Sequence, residues 1–200
     1  AENVFVSQHE QTKRGQQIDG LLTFKRPADE LFVANISMEQ SQQLAGLLTN
    51  YKKNGLGKLR FLTPLLVSLI CFAIGRSMGN VVVMFIAPVV VAPVSFMLHT
   101  YLIKKFRNRQ VETIIEKVRT LPANEKWIGL SISSLVFRNN PLAKFTLELC
   151  HEKGLGLISV GKRSKVVLLQ RPTNKESRRG DYLNHYNSEE NIRRAINENH

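Results

Sequence analysis

The sequence predicts an α/β domain, a mixed sheet flanked by helices, formed from both sides of a two-helix transmembrane hairpin. Three observations predict this fold. Residues 61–103 carry a single charge, Arg76, and strand-like and helix-like patterns alternate on both sides of that stretch. A spanning helix needs about 20 apolar residues, so the stretch suits two helices joined at residues 75–80. Each flank alone is near the size at which isolated domains become marginal, so we expect one sheet built from both.

The alternative for the apolar stretch is a pair of buried core helices in a soluble protein. A chain of 200 residues is too small to surround so many residues that are apolar on every face. The first helix is short for a bilayer unless Arg60 and Arg76 run their aliphatic stems along the hydrocarbon and place their charges among the headgroups. Kinked, proline-bearing helices are tolerated in bilayers, and this stretch contains Pro64, Pro88 and Pro93.

Basic residues beside the apolar stretch predict its orientation. Between residues 51 and 110 the chain has nine basic residues and no acidic one, which gives +9 of the net +12. Because only Arg76 lies in the connecting turn, we expect an integral membrane protein with both termini, and hence the α/β domain, cytoplasmic. Anionic membrane lipids are the expected partners of the flanking cations. These cations are Lys52, Lys53, Lys58, Arg60, Lys104, Lys105, Arg107 and Arg109.

The first part of the cytoplasmic domain, residues 1–57, is expected to contain a strand hairpin. Residues 4–6 are compatible with a short strand or with the buried edge of a helix. Strand-forming residues follow at 17–25 and 31–37, and the turn between them holds Pro27.

A helix and an elbow come next. Apolar residues recur at the spacing of one helix face between residues 38 and 51. Gly55 and Gly57 then interrupt the pattern, which predicts a flexible elbow. The transmembrane hairpin itself is placed at residues 58–106.

The second part of the domain, residues 107–172, alternates helices and strands. An amphipathic helix ends at Pro122 and a strand covers residues 127–137. The next helix begins with Asn140 as its cap and ends at Gly154. The remaining strands are expected at residues 155–160 and 166–169. A strand–helix–strand unit of this size favours parallel pairing.

The chain becomes polar after this region. Residues 173–200 are expected to form a flexible tail with a weak helix at residues 188–197.

Two stretches carry a resemblance to a known family. The first is Gln17–Leu22 with the strand hairpin that follows it, and the second is Leu149–Val160. With their surroundings, residues 10–51 and 111–170, they resemble the restriction-endonuclease superfamily of metal-dependent nucleases. That family places an Asp at the head of one strand and a Glu-x-Lys triplet on the next, and its acids bind a divalent metal ion for phosphodiester hydrolysis.

The family's metal site is incomplete in this chain. Asp19 matches the first Asp, although it is equally compatible with a turn or capping role. The triplet falls on residues 35–37, Asn-Ile-Ser, which contain neither the acid nor the lysine. One carboxylate with an amide is a poor site for Mg²⁺. The resemblance therefore implies a domain without a catalytic site or cofactor, unless Glu10 or Glu30 supplies the missing acid and Mg²⁺ is bound.

Basic residues on one predicted strand turn are candidates for binding nucleic acid or phosphate. Lys162, Arg163 and Lys165 lie between the last two strands, and Arg171 follows the second strand. A solvated hairpin tip is the alternative role for them. None of the five histidines has Cys, Asp or Glu at metal-ligand spacing, so no metal site is predicted from them.

Three functions are compatible with the sequence. In the first, the hairpin anchors a non-catalytic nuclease-like domain that binds nucleic acid or a protein partner as a scaffold subunit of a membrane complex. In the second, the domain is a membrane-tethered metal-dependent nuclease. In the third, the chain forms a homo-oligomer, a channel-type effector, in which Ala87, Ala92 and Ser95 allow close contact between helices.

Overall fold

The computed structural model describes residues 4–25, 31–37, 39–161, 165–173 and 181–198. The strands are β1 (Phe5–Gln11), β2 (Gln17–Lys25), β3 (Leu31–Ser37), β4 (Glu125–Leu130), β5 (Gly156–Val160) and β6 (Val166–Gln170). The helices are α1 (Glu39–Asn54), α2 (Leu62–Ser77), α3 (Ala87–Arg119), α4 (Pro141–Lys153) and α5 (Glu189–Glu198). The chain divides into two compact units, which are residues 1–49 with 111–200 and residues 50–110.

The first unit contains one mixed sheet with the strand order β1-β2-β3-β4-β5-β6. Strands β1, β2 and β3 form an antiparallel meander, β3–β4 and β4–β5 are parallel, and β5–β6 is antiparallel. In the β3–β4 ladder Ala34 pairs with Glu125 and Ser37 with Ile128. The predicted α/β sheet, built from chain segments on both sides of the apolar stretch, is therefore confirmed.

One face of this sheet forms the core. Its fully buried residues include Leu21 on β2, Val33 on β3, Ile128 on β4 and Leu157 on β5. The helices contribute further buried residues, among them Leu44, Leu48, Val118 and Cys150. The opposite face carries half-buried residues such as Leu22, Ile36 and Ile158, together with the buried Phe32 and Ala34. The first face therefore carries most, but not all, of the sheet's buried side chains.

Both ends of α4 are fixed by the residues that the sequence indicates. The Asn140 side chain accepts hydrogen bonds from the backbone N–H groups of Leu142 and Ala143, and its amide donates to Leu48 O at 3.1 Å. Gly154 ends the helix with a φ of 73°, a conformation that disfavours side chains. The predicted helix is confirmed at both ends.

Two sequence predictions differ from the structure. The strand expected at residues 127–137 stops at Leu130, and Ser133 caps a short 3₁₀ turn at Ser134–Val136. The helix expected to begin after the hairpin is the second half of α3, which continues without a break from the apolar stretch. The division into two compact units falls within α1 and α3, at residues 49/50 and 110/111.

The expected flexibility is wrong for residues 181–198, whereas the helix expected at residues 188–197 is confirmed as α5. Before it, Tyr182–His185 forms a 3₁₀ turn. Four apolar side chains from this segment are buried, which are Leu183, Tyr186, Ile192 and Ile196. Their burial outweighs the polar composition because only one side of the segment has to be apolar. Residues 174–180 lie outside the described part of the chain.

In the second unit, α2 packs against α3 and the turn preceding it. The contacts are Phe61 with Phe96 (5.5 Å between ring centroids), Phe72 with Phe85 (6.5 Å) and Thr63 Oγ1 with His99 Nδ1 (2.9 Å). Gly75 is buried next to the turn, where a Cβ atom would lie 2.5 Å from the backbone nitrogen of Met84. Because residues that come later on one helix meet residues that come earlier on the other, the two helices are antiparallel.

Small residues lie near the contact between these helices. Ala92 and Ser95 are half-buried and share the stripe of α3 that includes Phe96 and His99. Ala87 is also half-buried, but at about 100° per residue it lies on the side of α3 opposite Phe96. A π-helical turn, Val82–Ile86, precedes α3.

Both helices are long and apolar enough to cross a membrane. The segments are Lys58–Ser77 and Val82–Arg119, with mean hydropathies of 1.7 and 2.2 over their most apolar windows. Their large apolar side chains are mostly exposed, such as Val89 at 71% and Met97 at 70%.

The flanking cations occur at one end of this helix pair. Arg60 lies over the rings of Phe61 and Phe96, at 4.9 and 5.7 Å, and Lys105 lies 5.9 Å from the Tyr101 ring. Lys52, Lys53, Lys58 and Lys104 are exposed. Arg76 is at the opposite end, in the last turn of α2. The structure therefore separates the basic end from the end that carries one charge.

Candidate functional site

The three positions compared above with a nuclease metal site lie on one face of the sheet. Leu21 on β2 pairs with Asn35 on β3, so Asp19 and Ser37 share the face of that pair. Asp19 is half-buried, whereas Asn35 and Ser37 are 0% and 2% exposed. The three positions are neighbours, but two of them are closed to solvent.

The C-terminal segment covers Asn35. Tyr186 is fully buried, and its hydroxyl donates a 2.5 Å hydrogen bond to Pro122 O. Burial raises the pKa of the Tyr186 hydroxyl, and the negative charge of Glu10 raises it further. The nearby Asn35 side chain lowers this pKa and so opposes the shift. Within the described residues, neither the oxygen nor the nitrogen of the Asn35 amide makes a well-formed hydrogen bond. Asn35 is thus a buried polar residue rather than an accessible metal ligand.

One of the two candidate substitutes for the missing acid, Glu10, is engaged in other contacts. It accepts a 2.5 Å hydrogen bond from the hydroxyl of Ser7 within β1 and another from the hydroxyl of Ser188, which joins β1 to the start of α5. Glu30 lies outside the described residues. In the part of the chain that the structure describes, no group of three or more His, Cys, Asp or Glu is positioned to hold a metal ion.

A second site is a cleft of about 1020 Å³ in the first unit. Three loops contribute to it: the β1–β2 turn, the segment from the end of α3 to β4, and the α4–β5 connection. The 3₁₀ turn Tyr182–His185 also lines it. Among the described lining residues the cations are Lys13, Arg14, Arg119, Lys126 and Lys153, and the acid is Glu152. We refer to this site as the basic cleft.

Three of the cations converge at the end of α3. Lys153 Nζ lies 2.9 Å and an Arg119 nitrogen 3.6 Å from the carboxylate of Glu116. The hydrogen bond from Lys153, and to a smaller degree Arg119, lowers the pKa of Glu116. Lys126 Nζ donates to Arg119 O at 2.6 Å, where it offsets the negative end of the helix dipole. One carboxylate thus holds two of three neighbouring cations in place.

The other cations belong to the turn between β1 and β2. Gly15, with a φ of 80°, allows this tight turn, and Lys13 N donates to His185 O at 2.8 Å. Lys13 Nζ is 3.0 Å from Glu189, whose pKa it lowers with help from Arg193. Arg14 is exposed, and its side chain makes no hydrogen bond or ion pair within the described residues. Arg14 is therefore available to a ligand.

The sequence-based candidates for phosphate binding are not part of this cleft. Lys165 and Arg171 are exposed on either side of β6 and do not line it. Lys162 and Arg163 lie outside the described residues.

The residues of the basic cleft were missed because they are scattered along the chain. Each is an isolated cation at the end of an element, such as Arg119 at the end of α3 and Lys153 at the end of α4. Cations are common in the last turn of any helix, since they favour the dipole. Only the pairing of β3 with β4 brings these positions near the β1–β2 turn, and sequence spacing cannot reveal that.

Comparisons with protein-family models, curated proteins and solved structures give no match to this chain. Function must therefore be inferred from the chemistry of the two sites.

Proposed function

We propose that this chain is a membrane-anchored, non-catalytic nuclease-like protein that binds nucleic acid at the cytoplasmic face as a subunit of a membrane complex. One observation carries the proposal, the contrast between the two sites of the first unit. Asn35 and Ser37 are buried and provide no carboxylate, whereas the basic cleft is open and holds five cations against Glu152.

The helix pair is the proposed anchor. Its exposed apolar side chains suit a lipid environment, since water would be an unfavourable solvent for so much apolar surface. Under this proposal the cations at its basic end face the anionic headgroups of the cytoplasmic leaflet, and both termini are cytoplasmic. Labelling of single cysteines added near Ala1 and His200 in intact cells tests this orientation. Labelling of either one from outside the cell would contradict it.

Nucleic acid is the proposed ligand because phosphate matches the donors of the cleft. Arg and Lys side chains are the residues that bind phosphate oxygens most strongly, and Arg can do so in a bidentate manner. A protein partner with an acidic surface could also meet exposed cations. Lys153, however, is only 24% exposed at its side chain, so a ligand that contacts it must enter the cleft. A flexible phosphodiester chain can do so more easily than a folded protein surface.

Binding can be measured on the full chain in nanodiscs of zwitterionic lipid, by fluorescence anisotropy of a labelled oligonucleotide. We expect the affinity for the oligonucleotide to fall as the salt concentration rises. The double variant Lys13→Ala/Arg14→Ala should reduce the steepness of log K against log salt by roughly 0.7–0.9 for each phosphate that it no longer binds. Lys144→Ala is the matched control, because Lys144 is an exposed cation on α4 outside the cleft. Binding that is absent, or equally affected by Lys144→Ala, would contradict the proposal.

Incubating the same sample with Mg²⁺ or Mn²⁺ and looking for cleavage of the oligonucleotide distinguishes a nuclease from a non-catalytic binding protein. We expect intact nucleic acid, because an amide and a hydroxyl replace the metal-binding acid and the lysine. Metal-dependent cleavage that is abolished by Asp19→Ala would select the enzyme instead.

A further inference from the structure

On the premise that the basic cleft binds nucleic acid, we infer that it accepts a short unpaired strand rather than a duplex. The cleft combines three features that a single strand can use together. These are a recessed shape, two separate groups of cations, and planar side chains beside one of those groups.

The recessed shape disfavours a duplex. Proteins read double-stranded DNA with elements that protrude into its grooves, and the major groove is about 12 Å wide. Here the cations line a concavity of about 1020 Å³, at the upper end of the range of about 300–1,000 Å³ typical for pockets that enclose small organic ligands. Lys126 lies on strand β4 and Lys153 is only 24% exposed, so neither projects from the surface. A rigid duplex lying across the opening would not bring its phosphates to these cations, whereas a single strand can enter.

The cations form two groups on different elements of the cleft. Arg119, Lys126 and Lys153 are linked through Glu116 and the end of α3. Lys13 and Arg14 form the second group, on a turn held to the C-terminal segment by the bond from Lys13 N to His185 O. A strand that carries several phosphates could engage cations of both groups at once.

Planar side chains lie next to the second group. Tyr182 is half-buried and His185 is exposed, and both line the cleft from the same 3₁₀ turn. Unpaired bases stack on aromatic side chains at about 1–3 kcal/mol for each base, irrespective of sequence. Bases within a duplex are already stacked and cannot do so. The aromatic residues therefore add affinity for a single strand alone.

The test compares a labelled single-stranded oligonucleotide with the duplex of the same sequence, on the full chain in zwitterionic nanodiscs at one salt concentration. We expect the single strand to bind at least about tenfold more tightly, in line with one stacked base. Tyr182→Ala should weaken single-strand binding by roughly 5- to 150-fold and leave the weak duplex binding unchanged. Tyr182→Phe should restore it, because the phenyl ring retains the stacking surface.

The outcomes distinguish this inference from the function on which it rests. If the duplex binds as tightly as the single strand, or if Tyr182→Ala weakens both equally, the single-strand inference is wrong and nucleic-acid binding stands. If neither form binds, the proposed function itself is wrong. The fluorescence of Trp127, the one tryptophan in the chain, reports whether Tyr182→Ala is still folded. If it is not, the milder Tyr182→Leu replaces it, with the same expected loss and the same contradicting results.

Discussion

Replacing Tyr186 with alanine tests whether the C-terminal segment is an integral part of the α/β unit. The Tyr186 side chain is 0% exposed, and its hydroxyl donates a 2.5 Å hydrogen bond to Pro122 O. Truncating a buried aromatic residue costs about 3–5 kcal/mol, most of it from reduced burial and the cavity that remains. The hydrogen bond accounts for about 1 kcal/mol of the change. Since small domains are stable by only about 5–15 kcal/mol, the expected loss is a large share of the total.

Urea unfolding of the full chain in detergent measures this loss. Trp127 lies on β4 and its Nε1 donates to Glu125 at 3.2 Å, so its fluorescence reports on the sheet rather than on the helix pair. We expect Tyr186→Phe to lower the free energy of unfolding by about 1 kcal/mol, because it removes only the hydrogen bond.

Asn187→Ala, at an exposed neighbouring position, is the control and should change stability by less than about 0.5 kcal/mol. A loss below about 1 kcal/mol for Tyr186→Ala would show that residues 181–198 do not pack as described, because such a loss is typical of partly exposed sites.

Four further predictions concern the helix pair and alkaline pH. Gly75→Ala should destabilise the helix pair by about 1–3 kcal/mol, because the added Cβ would lie 2.5 Å from Met84 N. Loss of helicity during SDS titration measures this destabilisation. Ala73→Val, at an exposed position, is the control. In the same assay Thr63→Val should cost about 0.6 kcal/mol by removing the 2.9 Å contact with His99. Thr100→Val should be neutral or stabilising, because the buried Thr100 hydroxyl has no partner in the described structure. Burial raises the pKa of the Cys150 thiol to about 12, above the value of about 8.5 in an unfolded chain. The contribution of this thiol to stability is therefore complete below about pH 8.5 and declines as pH rises towards 12. Urea unfolding at about pH 8 and 10 should therefore show an alkaline loss that Cys150→Ala reduces, and an undiminished loss would contradict this.

The parts of the fold that local chemistry determines were predictable from the sequence. The uncharged stretch around Arg76 predicts two long apolar helices, and the Asn140 and Gly154 caps predict α4 to the residue. The small size of each flank predicts a shared sheet, because neither could bury enough apolar surface alone. These predictions depend on composition and spacing within one segment, where the physical cause is local.

The parts that depend on distant contacts were not predictable in this way. The polar composition of residues 181–198 indicates a flexible tail. In the structure, however, Leu183 and Tyr186 are buried beside β1 and β3, and no sequence pattern indicates this position. Likewise, Lys153 looks like an ordinary helix-end cation until the tertiary fold brings its Nζ within 2.9 Å of the Glu116 carboxylate on α3. A local pattern cannot report a partner that is far away in the chain.

The two sites of the α/β unit depend on the same short segment. Tyr186 packs beside the buried Asn35, while Tyr182 and His185, on the turn just before it, line the basic cleft. The bond from Lys13 N to His185 O and the bridge between Thr12 and Tyr186 attach this segment to the β1–β2 turn. A segment that packs in this way covers Asn35 and lines the cleft at once. Under the proposed function, a variant that releases residues 182–186 should therefore lose nucleic-acid binding without gaining cleavage.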